Sequence, residues 1–183
     1  MLTDNFLREF KRTTEEKWSE QLINPTIYGF QFQRGTRWNR GLSAQGIAEY
    51  ENTLGVRFPH DFKAFLTAMN GTDLPTLNIY GYCGEPPREW VGVYSYPRDI
   101  KIVKELIERI RGSRGEITES LAEQGYDLPP DAGLVPVYSH RYLVCADFKS
   151  SVVLSIVVND TDAIVYGQSL ADYLEREFLS TNA

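Results

Sequence analysis

The sequence predicts an α+β fold: a single domain in which an antiparallel sheet of about six strands is flanked by helices. Three observations lead there. Apolar residues recur at helical spacing in several stretches up to residue 111 and again near the C-terminus. Between residues 134 and 167 four strand-like runs follow one another through short links, which forces antiparallel pairing. No repeating βα alternation occurs, which argues against a doubly wound sheet. A chain of 183 residues fits one domain, 1–183, and buries roughly 70% of its unfolded surface.

Residues 4–22 follow helical spacing through Phe6, Leu7, Phe10, Trp18 and Leu22. Thr13 with Glu16 makes a capping box, which predicts a second helix start within the stretch. Asn24-Pro25 ends it, because the residue before a proline is pushed out of the helical region. "TIYGFQFQRGTRW" reads as a strand through Ile27, Phe30 and Phe32, so residues 1–42 form a helix-and-strand extension integral to the domain. Ser43 is the expected N-cap of a helix with Ile47, Tyr50 and Leu54 on one face and Gly55 at its left-handed end. Pro59 opens the next helix, since its missing N–H costs nothing in a first turn. Phe62, Phe65, Leu66 and Met69 form that helix's apolar stripe, and Asn70-Gly71 is the expected stop.

Downstream, "TLNIYGY" and "WVGVYSY" read as a hairpin around "CGEPPRE", whose prolines forbid a continuous ladder. "DIKIVKELIERIRG" puts Ile100, Val103, Leu106, Ile107 and Ile110 on one helical face, with Asp99 and Arg111 placed favourably for the helix dipole. A short helix in "EITESLAEQG" and a loop in "YDLPPDAG" follow. Then come the strands "LVPVY", "RYLVCADF", "SVVLSIVV" and "AIVYG". "SLADYLEREFL" closes with Ser169 as N-cap and Leu170, Tyr173, Leu174 and Phe178 turned inward.

The balance of 19 basic against 25 acidic residues gives a formal charge of -6, the wrong sign for neutralising phosphates, so no direct contact with nucleic acid is expected. The charge is uneven. Residues 115–140 carry Glu116, Glu119, Glu123, Asp127 and Asp131 and no Lys or Arg, a patch toward which a basic partner would be steered. The N-terminal stretch has no apolar leader core and 18 apolar residues never run together, which leads us to expect a cytoplasmic protein with no membrane partner. Cys83 and Cys145 lack paired metal-ligand spacing and suggest reduced, partly buried thiols more than a disulfide.

For chemistry the residues offer little. The two histidines, His60 and His140, lack metal-site or nucleophile-elbow context, and glycine-rich phosphate motifs do not occur. His60 precedes Asp61 at a helix start, where an exposed imidazole and a carboxylate serving first-turn N–H groups explain the pair. A His140–Cys145 dyad is disfavoured because residues five apart on a strand point to opposite faces. We therefore expect no enzyme, no metal and no cofactor. The aromatic run "YGYCGEPPREWVGVYSY" instead suggests contact anchors, with Tyr82, Glu85, Glu89 and Trp90 as candidate partner-binding residues beside Glu116, Glu119 and Glu123.

One resemblance gathers these readings. "YENTLG" followed by "FPHDFKAFLTAMNG", with Glu51, Gly55, Pro59, Asp61, Asn70 and Gly71 at the matching positions, resembles the SUKH superfamily in its Smi/Knr-like branch. "LVPVYSHRYLVCADF", "VVLSI" and "IVYGQSLADYLEREF" look like the second half of such domains, so the likeness spans nearly the whole chain. That family includes fungal cell-wall regulators and many bacterial immunity proteins. The resemblance implies an α+β domain that binds and neutralises a cognate toxin by stoichiometric occlusion. The acidic balance would suit a basic toxin such as a nuclease. The other implied role is a non-enzymatic regulatory scaffold or ligand-binding module. The shared motif reads as scaffold in either case.

Overall fold

In the computed structural model, which describes residues 2–79, 86–146, 151–157 and 162–180, Thr3 caps helix α1 (Asp4–Glu20) by accepting the Phe6 N–H at 3.2 Å. The helix is continuous where the sequence suggests a break at Thr13. Glu16 pairs with Arg12 at 2.7 Å instead of closing a capping box. The adjacent Thr14 hydroxyl donates back to the Phe10 carbonyl at 2.8 Å and accepts the Trp38 indole N–H, also at 2.8 Å. A tertiary bond thus holds the backbone helical where local capping would have ended it. Leu22 lies beyond the helix and is 75% exposed rather than packed.

The stretch read as one strand folds into two, β1 (Gly29–Phe32) and β2 (Trp38–Arg40), around a turn in which the Thr36 N–H reaches the Gln33 carbonyl at 3.1 Å. Helix α2 (Ala44–Leu54) starts at Ser43, whose hydroxyl accepts the Gly46 N–H, and ends at Gly55 with φ +68°. Helix α3 (His60–Ala68) buries Phe62, Phe65 and Leu66. Asn70-Gly71 does not stop it as expected. The helix ends at Ala68, and both residues belong to strand β3 (Met69–Thr72), antiparallel to β2.

Strand β4 (Thr76–Ile79) lies between β1 and β5 (Arg88–Trp90), antiparallel to both. Helices α4 (Ile100–Gly112) and α5 (Arg114–Glu123) follow. Strands β6 (Gly133–Tyr138), β7 (Arg141–Cys145), β8 (Val153–Val157) and β9 (Asp162–Gly167) pair antiparallel in chain order, as their short links require. Ser169 caps α6 (Leu170–Leu174), which runs directly into a π-helical turn, Glu175–Leu179. The described residues therefore contain nine strands in three sheets, not about six in one. The extra strands are short pieces in the N-terminal half, where turns and prolines divide each run.

Alternation along the four-stranded sheet serves two cores. Val135, Val137, Leu143 and Val153 face a core shared with α1, α2, α3 and α6. Leu134, Tyr142, Val144, Leu154 and Ile156 face a second core closed by Ile110 of α4 and by Ile117 and Leu121 of α5. The segment after β5 stitches the sheets together. Thr72 N–H reaches the Val93 carbonyl at 3.2 Å, and Tyr94 N–H reaches the Val137 carbonyl at 3.1 Å. In the first core, Phe178 meets Phe10 at 5.6 Å and Trp38 at 5.7 Å, so rings from both ends of the chain pack together.

Candidate partner-binding surfaces

Every residue of the helical-hairpin motif has a structural task. Glu51 is 4% exposed, accepts the Phe58 N–H at 2.7 Å and pairs with Lys63 at 2.9 Å and Arg57 at 3.7 Å. Burial would raise its pKa, but Lys63, the Phe58 N–H and Arg57 together bring it below the ordinary carboxylate value. The Pro59 carbonyl accepts the Lys63 N–H in the first turn of α3. Asp61 accepts the Ser151 hydroxyl at 2.6 Å and the Ser151 N–H at 3.0 Å, tying α3 to the start of the β8 segment. Its first-turn bond, from the Phe62 N–H at 2.8 Å, agrees with the sequence reading, and His60 is exposed.

Asn70 brackets the Tyr96 backbone. Its side-chain amide donates to the Tyr96 carbonyl at 2.6 Å, and its Oδ1 accepts the Tyr96 N–H at 3.0 Å. Gly71 has φ +68°, and a Cβ there would stand 2.5 Å from the Val93 carbonyl oxygen. The Asn-Gly pair thus docks the segment 93–96 instead of terminating a helix.

The predicted contact residues lie on separate elements. Glu89 and Trp90 are exposed on β5, and Trp90 packs against Phe30 at 6.0 Å. Glu116, Glu119 and Glu123 are exposed along α5, and Ser120 and the following Gln124 donate to the Ala163 carbonyl of β9. Tyr82 and Glu85 lie outside the described residues, as does Cys83. Tyr94 is buried and donates to the Ser139 carbonyl.

Burial, followed by the charges of Asp61 and Glu51, pushes the Cys145 thiol up to about 12, which keeps it protonated. His140 does not face solvent freely. It is half-buried against Arg141, and burial followed by that charge lowers its pKa to about 4. Arg141 also donates to Glu177 at 2.8 Å and to Ser155 at 2.7 Å, and lies 3.8 Å from the Tyr166 ring centroid. The π-helical turn presents Glu177 to this cluster. Nearby, the buried hydroxyl of Tyr173 has no hydrogen-bond partner among the described residues, while that of Tyr138 has Thr76 beside it. Among the described residues no group of three or more His, Cys, Asp or Glu side chains is placed to hold a metal ion.

A further surface has no counterpart in the sequence reading. A cleft of about 520 Å³ opens between the end of α1, the loop 21–28, β1 and the π-helical turn, with Tyr138 and Phe178 among its lining. On its rim Leu22 is 75%, Tyr28 74% and Ile27 47% exposed. The stretch "LINPTIYG" held the one available signal, apolar side chains set among turn residues.

No helix among the described residues is long and apolar enough to cross a membrane. Neither the curated proteins nor the solved structures contain a significant match to the chain. A model of the SMI1 / KNR4 family (SUKH-1) matches residues 41–176, which takes in both motif helices, all four strands of the larger sheet and α6. The chain therefore belongs to the SMI1 / KNR4 family (SUKH-1).

Proposed function

We propose that this chain is a cytoplasmic immunity protein that binds a cognate toxin and neutralises it by stoichiometric occlusion, without catalysis. Family membership over residues 41–176 carries the reading, since the superfamily that the sequence resembles includes many bacterial immunity proteins. The exposed aromatic and aliphatic side chains at Trp90, Tyr28 and Leu22 support it, because rigid apolar anchors on a surface are what a protein interface buries. The net charge of -6, with Glu89 beside Trp90 and three glutamates along α5, suits a basic toxin domain.

Co-expression with each toxin-like reading frame encoded beside it tests the proposal. The expected result is rescue of growth by this chain and a one-to-one complex on size exclusion. Rescue by none of them, together with capture of host regulatory proteins alone, would replace it with the scaffold reading. Where a complex forms, Glu89→Lys should slow association more at low salt than at high salt. Unchanged association rates would take β5 out of the interface.

A further inference from the structure

A second groove borders α1 nearer its start, where the helix packs against α3. Two hollows of about 540 and 440 Å³ meet there and share Lys11, Thr67 and Ala68. The connection from β2 to α2 forms one wall. Its Leu42 N–H donates to the Leu66 carbonyl at 2.8 Å, and a Cβ on Gly41 would overlap the Thr67 carbonyl, so this wall is pinned to the end of α3. The ionisable side chains of the lining are Asp4, Arg8, Lys11 and Arg40. Lys11 is half-buried, and none of the three cations has an ion pair or a side-chain hydrogen bond among the described residues. Three positive charges against one leave the lining positive in a chain whose formal charge is -6. Glu15, one turn beyond Lys11 and outside the lining, accepts the Trp38 N–H at 3.0 Å, and counting it leaves the sign unchanged. Glu9 and Glu16 pair with Arg12 on a different face of α1. All three unpaired cations precede residue 41, where the family match begins, so they are this chain's own addition to the shared domain.

We propose that this groove docks an acidic segment of a partner protein, one that alternates carboxylates with apolar side chains. The carboxylates engage Arg8, Lys11 and Arg40, and the apolar side chains settle on Leu42, Ala64 and Ala68 between them. A free anion such as phosphate would use the charges and leave that apolar floor wet. A nucleic acid would bring a long run of negative charge to a protein that is itself acidic. The inference goes beyond the proposed function: β5 and the glutamates of α5 suit a basic partner, whereas this groove selects the opposite sign and does so whether or not the partner is a toxin.

A hexapeptide alternating glutamate and leucine, and its glutamine counterpart, serve as probes, titrated into the isotopically labelled full chain by NMR. Saturable shifts are expected at Lys11, Gly41 and Ala68 with the glutamate peptide and not with the neutral one, weakening as salt is raised. Arg8→Gln and Lys11→Gln keep helix propensity at positions without partners, so the melting temperature should hold while each weakens binding about tenfold, the size of one charge-assisted contact. Shifts confined to Lys101 and Lys104 of α4, equal binding of the glutamine peptide, or unchanged affinity in the double variant would overturn the assignment. Displacement of the peptide by inorganic phosphate or by oligothymidylate, at concentrations below those the peptide itself requires, would overturn it in favour of a free-anion or a nucleic-acid site.

Discussion

In the helical hairpin of α2 and α3, the Glu51 carboxylate has an N–H and two cations around it, and Asn70 and Asp61 each hold a distant backbone segment. At the cleft beside α1 the pattern inverts. Leu22, Ile27 and Tyr28 stand in solvent, and Glu20 lacks a counter-ion among the described residues. Motif groups that are paired internally have little left to offer a partner. A region with exposed apolar area and unmet polar capacity has more. The comparison separates what makes this chain a family member from the surface that still has apolar area to bury.

Phe65→Ala strikes the first region hardest. The ring is 5% exposed, lies parallel to Phe62 and meets Trp38 edge-on at 5.8 Å, so its loss should cost about 3–5 kcal/mol. A melting temperature within error of the parent would show that the hairpin is not the packed element described.

Glu51→Gln should cost about 1–3 kcal/mol, because the Phe58 N–H and the Lys63 ammonium lose a charged acceptor. Its pH dependence has a definite sign. The folded carboxyl titrates below its unfolded value, so its contribution is present above about pH 4.3 and is lost as pH falls through the lower folded value. The variant should therefore show a flatter loss of stability below that pH in denaturant titrations. An unaltered acid limb would contradict the buried pairing.

His140 reports on the polar cluster beneath the cleft in a different window. Burial and Arg141 hold its folded pKa at about 4, below the unfolded 6.5. The neutral ring's contribution is therefore whole above pH 6.5 and declines as pH falls from there toward 4. His140→Asn should remove that part of the slope while leaving the Glu51 window in place. A parent curve flat between pH 6.5 and 4 would mean that the ring is solvated. The smallest stability effect belongs to Tyr28→Ser, within about 0.5 kcal/mol, although its effect on partner binding should be the larger one. A marked drop in melting temperature would make Tyr28 a packing residue instead.

Elements whose reasons are local were legible in the sequence. The α4 stripe, the Ser43 and Ser169 caps, the Gly55 end and the four consecutive strands β6–β9 all follow from spacing and capping within a few residues. What escaped depends on distant contacts. Thr14 keeps α1 whole through a bond to Trp38, 24 positions away, and Asn70 is drawn into a strand by Tyr96, 26 positions away. Glu89 and Trp90 could be identified as exposed because prolines and charge surround them. The cleft could not, since Leu22, Tyr138 and Glu177 come together only when three separate elements have packed.

The contact between Lys17 and the last helical turn also bears on how the chain matures. Its ammonium spans 161 positions to the Phe178 carbonyl, and the Phe178 ring completes the aromatic packing around Phe10 and Trp18. During synthesis, Trp38 and Phe32 can cover Phe10 and Trp18 in part, but the last face of those rings stays open until Phe178 has left the ribosome. Acquisition of structure should accordingly be late and cooperative, and chains stalled before residue 178 should display a sticky apolar helix that chaperones can bind.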